Sequence, residues 1–305
     1  MTDNVTSDML GHLTSAEIES QPQCWRAARQ QGAGGPVGLP ERGERVLALG
    51  CGTSYYLAAA YAWLREQAGH GITDALIASE VPARLRSYDR VIAISRSGTT
   101  TEVLQALATL PGGQPVTAIL GTLDTPIAAV ATQIVDLSYA DEESVVQTRF
   151  PTTALTLLRT HLGTPEEKIS KLAERAESLI QEPVREAAPR QLVVLATGWA
   201  AALAQEGALK CREAAGMWAE AYATGEYRHG PISVAGPGTL VWAMSPLGDS
   251  LREAIEETGA AVHEEDDDPQ VSLVALQRHA VAWAMAAGRD PDMPVHLTRS
   301  IVSPG

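Results

Sequence analysis

The chain has 305 residues, 45% of them hydrophobic, which suits a large core and two domains of ordinary size. A formal charge of −14 and a pI of about 4.9 argue against nucleic acid or an anionic membrane surface as partner. Cys24, Cys51 and Cys211 lack metal-ligand spacing, the N-terminus is acidic and polar, and no apolar run reaches membrane-spanning length. These features point to a reduced, cytoplasmic protein, and no motif calls for a metal or other cofactor.

In chain order, residues 9–31 read as a helical arm with Pro22 as a break and Trp25 as an apolar anchor. A Gly/Pro linker, GAGGPVGLPERGE, covers 32–44. An alternation of strands and helices follows. Val46–Leu49 is a short apolar strand that turns through Gly50–Ser54 into a helix over Tyr55–Gln67. Strands are predicted at Asp74–Ala78, Val91–Ser95, Val116–Leu120 and Gln133–Leu137, with a helix over Thr101–Leu110. Apolar strands alternating with helices mean a parallel sheet covered on both faces.

Two helices are predicted next, over 152–162 and 165–187, the second charged and started by Thr164-Pro165-Glu166-Glu167. The alternation then restarts: a strand over Leu192–Ala196, a helix over Trp199–Gly216, a strand over Thr239–Ser245, a helix over Leu251–Thr258 and a short strand over Ala260–His263. LALGCGTS (47–54) aligns over LATGWAAA (195–202), which suggests an internal duplication.

Two loops leave strand ends and enter helices: Gly50-Cys51-Gly52-Thr53-Ser54 and Ser95-Arg96-Ser97-Gly98-Thr99-Thr100. Backbone N–H groups, the positive end of a helix and small hydroxyls suit an oxyanion there; the competing reading is an ordinary turn with an N-cap. No Gly-Lys-Ser/Thr follows either loop, and Tyr55 stands where the last glycine of a dinucleotide fingerprint would be. A compact phosphate monoester fits better than a nucleotide.

In the second half, Glu206, Lys210 and Glu213 fall at i, i+4 and i+7, one face of a helix that breaks near Ala223–Gly225 before Tyr227, Arg228 and His229. A carboxylate, an amine and an imidazole can move protons; equally, they can be a surface helix laced with ion pairs and a polar turn. Lysine usage favours the former. The chain has only Lys168, Lys171 and Lys210 against twenty arginines.

Together GCGTSYY, ASE (78–80), ISRSGTT, EGALKCRE, AEAYATGEYRHGP and RDPDMPVHLTRSIV resemble the sugar isomerase (SIS) domain family, from about Val46 to Val302. The likeness is to the isomerase half of glucosamine-6-phosphate synthase and to stand-alone phosphosugar isomerases, deaminases and deglycases. It implies an α/β fold of two tandem doubly wound, flavodoxin-like parallel-sheet domains preceded by a helical arm. The expected organisation is an arm over 1–35, a first domain over 36–164, a bridging helix over 165–187 and a second domain over 188–305.

The resemblance further implies a site for a 6-phosphorylated sugar or amino sugar, shared between the subunits of a homodimer. Ser95, Arg96, Ser97 and Thr100 would hold the phosphate, with Gly52, Thr53, Ser54 and Thr148 lining the pocket. Glu213 resembles the base that moves a proton between C1 and C2, with Lys210 and Glu206 beside it. His229 resembles the ring-opening histidine given by the partner subunit.

Two departures stand out. No glutaminase segment precedes the first domain, and Arg299 stands where the synthase has a lysine that forms an imine with the ketose; Arg stays protonated and is a poor nucleophile. The segment 263–271 also leaves little room for a last strand of the second domain. The implied function is an aldose–ketose isomerase or amino-sugar-6-phosphate deaminase or deglycase without glutaminase activity; the alternative is a non-catalytic phosphosugar sensor.

Overall fold

The computed structural model describes residues 10–35, 38–185 and 187–302. Residues 1–9 of the anticipated arm, 36 and 37 of the linker, 186 of the bridging helix and the last three residues lie outside the described residues.

Two compact units form, one from residues 20–143, 147–174 and 298–302, the other from 10–19, 144–146 and 175–297. The first is built on five parallel strands: β1 (Val46–Gly50), β2 (Thr73–Ile77), β3 (Arg90–Ser95), β4 (Val116–Leu120) and β5 (Gln133–Asp136). Their order is β2-β1-β3-β4-β5. β1, β3 and β4 expose almost nothing on either face, because they lie in the sheet interior and are covered twice.

On one face Leu47, Leu49, Val91, Ala93, Ala118 and Leu120 pack with Val103, Ala106 and Ile127. The helices supplying those partners are Thr101–Ala108 and Pro126–Val130. Right-handed crossovers put the helix Thr53–Gln67 on the opposite face, where it also packs against the helix Arg149–His161. The helix Gln21–Ala33, with Pro22 in its first turn, packs on that last helix, and Trp25 Nε1 donates to Thr152 Oγ1 at 2.9 Å.

The other unit carries a four-stranded parallel sheet of β6 (Gln191–Ala196), β7 (Trp218–Ala223), β8 (Thr239–Ala243) and β9 (Ala261–Glu264), ordered β7-β6-β8-β9. This is the order of the first sheet without its last strand. One face is closed by Leu251 and Ile255 of the helix Asp249–Glu256 against Val193, Leu195, Val241 and Ala243. The helix Ala200–Ala215 follows β6 and packs against a long helix, Pro269–Ala286. The first helix, His12–Glu19, packs on that long helix too, and Asp292 holds its N-terminal end by accepting from Thr14 N at 2.7 Å and Thr14 Oγ1 at 2.6 Å.

One expectation needs correction. The helix bearing Glu213 ends where the predicted run Trp199–Gly216 puts it and does not continue to a break near Ala223–Gly225: its last residue is Ala215, with Gly216 at φ 61°. A side chain is disfavoured in that left-handed cap, so the glycine stops the helix. The next six residues alternate, with Ala219 and Ala221 buried, and form the edge strand β7 paired in parallel with β6. The short segment after 263, by contrast, holds no further strand among the described residues, in keeping with the little room expected there. β9 completes the sheet, and Pro269–Ala286 follows as a helix capped by Asp268, whose side chain accepts from Gln270 N.

Candidate functional site

In the first sheet the strand order reverses at β1 and β3, so the loops after these two strands flank the crevice where doubly wound sheets take ligands. The loop after β1 brings Gly52, Thr53 and Ser54 to the start of its helix, with Thr53 and Ser54 buried. Cys51 sits beside them, its thiol pushed up by burial and then by the nearby Glu102 carboxylate, so it stays neutral.

The loop after β3 is tighter. Ser95 Oγ accepts from Gly98 N at 3.1 Å and lies 3.4 Å from Thr100 Oγ1. Gly98 has φ +64°, and a Cβ there would come within 2.2 Å of Thr125 Oγ1. Only glycine fits this turn. Ser97 Oγ accepts from Thr99 N at 3.3 Å and Thr99 Oγ1 at 3.2 Å, so consecutive hydroxyls converge at the N-terminal end of the helix Thr101–Ala108.

Arg96 differs from its neighbours. Its side chain is 1% exposed, its Nη1 lies 3.6 Å from Glu142 Oε2, and its Nη2 donates to the Arg299 carbonyl at 2.9 Å. The Arg96 carbonyl in turn accepts from Gly121 N and Thr122 N, fastening the loop to the end of β4.

Glu142, which sequence reading passed over, organises this corner. Its Oε1 accepts from Thr148 Oγ1 at 2.9 Å, Thr148 N at 2.5 Å and Arg149 N at 2.7 Å, capping the helix Arg149–His161. The Thr148 hydroxyl is therefore engaged with this buried carboxylate. Next to it, Asp141 takes Arg299 Nη2 at 2.6 and 2.8 Å on its two oxygens, and Arg299 Nε donates to the Glu142 carbonyl at 3.0 Å. The segment 298–302 lies on the hydroxyl loop: Ser300 Oγ is 3.1 Å from Ser97 Oγ and 2.8 Å from Thr99 Oγ1, and the Ile301 carbonyl accepts Thr101 N at 3.2 Å. The acidic run 141–143 is a local sequence signal for this arrangement, but nothing local says which arginines it meets.

The other unit brings together Glu206, Lys210 and Glu213 on the helix after β6. Lys210 is 1% exposed, with Nζ 3.4 Å from Glu206 Oε1 and 2.5 Å from Glu213 Oε2. Glu206 is buried as well, whereas the Glu213 side chain keeps 21% of its surface. The row thus runs from an interior carboxylate through an ammonium to a carboxylate that reaches solvent. Cys211, beside it, has its thiol pushed up to about 12 by full burial, against the opposing pull of Arg212 and Lys210. His229 ends a 3-10 turn over Thr224–His229 and is exposed; Tyr227 in the same turn is fully buried, its hydroxyl pushed up to about 12 by burial and then by Glu220.

The geometry defines a class: a doubly wound α/β protein with a hydroxyl-rich loop at the switch point of one sheet and a buried charge row on a helix of the other unit. No protein-family model matches the chain. It is 26% identical over 294 residues to a glutamine–fructose-6-phosphate aminotransferase [isomerizing] of Sulfurisphaera tokodaii, covering 85% of this chain and 50% of that protein. The enzyme of the same name from Thermus thermophilus is 28% identical over 323 residues, covering 86% and 52%. The chain thus spans about half the length of the curated relatives it matches.

Among solved structures, glucosamine-6-phosphate deaminase from Thermotoga maritima superposes with a TM-score of 0.81 at 26% identity, covering 95% of this chain and 99% of that one. Tagatose-6-phosphate ketose/aldose isomerase from Escherichia coli gives 0.77 at 18% identity, covering 96% and 97%, a likeness of fold. These likenesses support the resemblance of the chain to the sugar isomerase (SIS) domain family.

Proposed function

We propose that this protein is a 6-phosphosugar enzyme that moves a proton between C1 and C2 of a hexose or hexosamine 6-phosphate. The observation that carries the reading is the Glu206–Lys210–Glu213 row. A buried ammonium between two carboxylates is a poor way to stabilise a helix, because desolvation of the ions offsets most of their attraction. It is a good way to hold one partly exposed carboxylate, Glu213, in a fixed position.

In this mechanism Glu213 takes the proton from C2 of the open-chain aldose, the electron pair forms an enediol(ate), and the same proton returns to C1 to give the ketose. With an amino group at C2, the enolamine formed in this way becomes a ketose imine on reprotonation at C1, and water releases ammonia. His229, contributed by the second subunit of a homodimer, would open the ring by moving a proton between the ring oxygen and O1. Phosphate binding falls to Ser95, Ser97 and Thr100 with the loop of Gly52, Thr53 and Ser54. Likeness to the Thermotoga deaminase over nearly the full length of both chains favours a hexosamine 6-phosphate as substrate.

The equivalent strand orders of the two sheets support a tandem duplication of the domain. Arg299, held by Asp141, argues against an imine-forming route at that position. Lys210 between two carboxylates is a poor candidate for one as well. The same replacement of lysine by arginine is what favours the second reading, a phosphosugar sensor that binds without turnover.

A panel of hexose and hexosamine 6-phosphates, screened by thermal shift and then for isomerisation and ammonia release, tests the assignment. Turnover that survives in Glu213→Gln removes the mechanism. Binding of free hexose as tightly as its 6-phosphate removes the phosphate site. Binding without turnover across the panel selects the sensor.

A further inference from the structure

Ser97, Thr99 and Ser300 form a closed arrangement. Ser97 Oγ donates to Ser300 Oγ at 3.1 Å, and Thr99 Oγ1 donates to Ser97 Oγ at 3.2 Å. Each hydroxyl has a single hydrogen. The 2.8 Å contact between Thr99 and Ser300 is then donated by Ser300, and the three hydroxyls close a ring in which each gives and takes one bond. Two of the three belong to the loop after β3; the third arrives from a segment about two hundred residues away in sequence.

Such a ring stores three donors that can turn outward together. A phosphate monoester has three terminal oxygens, and a hydrogen bond to one of them is stronger than a bond between two neutral hydroxyls. An arriving phosphate therefore has a reason to open the ring and take all three hydrogens. Several other polar groups of the segment dock it: the Arg299 carbonyl on Arg96, the Ile301 carbonyl on Thr101 N, and the Arg299 guanidinium on Asp141 and the Glu142 carbonyl. The two-oxygen grip of Asp141 on Arg299 is what fixes the residue next to Ser300.

We propose that Ser300 is a further phosphate-binding residue of this protein, and that Asp141 is the positioning residue that holds it over the loop through Arg299. This rests on the 6-phosphosugar reading of the same loop. Arg299 thereby latches the segment that carries the third hydroxyl, and does not itself react with the sugar.

The test is calorimetric titration of the full chain with inorganic phosphate and with a hexose 6-phosphate that the wild type binds. Ser300→Ala should weaken both by about ten-fold or more, the loss of one hydrogen bond to a charged group, while Ser300→Thr keeps the hydroxyl and stays near wild type. In turnover the loss should fall on KM and leave kcat largely in place, since the phosphate does not react. Asp141→Asn should weaken binding to a similar degree and speed tryptic cleavage after Arg299, read by intact mass.

Placed in the Ser300→Ala background, Asp141→Asn should add almost nothing, because both act through one hydroxyl. Equal losses from Asp141→Asn in both backgrounds would show a merely structural aspartate and overturn its assigned role. Unchanged or tighter binding by Ser300→Ala overturns the proposal and marks the segment as a plug that phosphate must displace. If the wild type binds neither inorganic phosphate nor any hexose 6-phosphate, the 6-phosphosugar reading falls and takes this inference with it. If it binds and Ser300→Ala binds equally, only the inference falls.

Discussion

Replacing Lys210 with Met probes the buried charge row directly. The methionine nearly fills the volume of the lysine stem but removes the ammonium from between two carboxylates 3.4 and 2.5 Å away. Glu213 can turn to water with its 21% exposed side chain, whereas Glu206, with 3% of its side chain exposed, cannot. Removing the ammonium from beside a buried carboxylate costs about 3–5 kcal/mol. At about 2–4 °C per kcal/mol for a chain of this class, the melting temperature should fall by about 6–20 °C at neutral pH. Differential scanning calorimetry and urea unfolding measure both quantities. The double change Lys210→Met with Glu206→Gln should recover much of the loss, because no buried charge then remains. A single variant that loses less than about 1 kcal/mol, or a double variant as unstable as the single, would refute the assignment of Glu206 and Lys210 as mutually compensating interior ions.

Gly98→Ala should destabilise the first unit by at least about 2 kcal/mol and loosen phosphate binding, since the left-handed turn and the 2.2 Å approach to Thr125 leave no room for a Cβ; wild-type affinity for inorganic phosphate would contradict this. Cys211 should resist a thiol reagent at pH 8 in the native protein and react on unfolding, because burial pushes its thiol up to about 12; labelling with mass mapping reads this. His279 gives a pH signature. Its ring donates from Nδ1 to the Ala275 carbonyl at 2.8 Å and accepts Arg185 N at Nε2 at 3.1 Å, and it lies edge-on to Trp242 and tilted against Trp283. Burial first, then Arg278, His263 and Arg185, hold its pKa below the ordinary value of 6.5. A depressed folded-state pKa means stability that is present above about 6.5 and lost as pH falls toward the folded value. Wild type should therefore lose more stability between pH 7 and pH 5 than His279→Gln does, as urea midpoints at the two pH values will show.

The strands and their loops were legible in the sequence because interior parallel strands are continuous apolar runs that end in Gly, Ser and Thr. Val116–Leu120 has the bounds that its composition gave it, and β1, β3 and β6 differ from their expected bounds by a residue. The charge row was equally readable, since Glu206, Lys210 and Glu213 lie within two turns of one helix and helical spacing alone puts them side by side. Where period failed, so did reading. The helix Pro269–Ala286 is buried almost all round, so it shows no polar stripe to betray it. Trp218–Ala223 carries alanines and a glutamate that suit a helix, and became a strand because Gly216 ended the helix before it and β6 had an open edge to pair. What the sequence by itself determined is thus what neighbours along the chain decide: strand runs, turn chemistry and the face of one helix. Which arginine met which acid, Arg96 with Glu142 and Arg299 with Asp141, and the arrival of Ser300 on the loop at Ser97, were decided only by tertiary structure. Partners that no local spacing brings together are chosen by the folded backbone, and a buried charge takes whichever counter-charge that backbone presents.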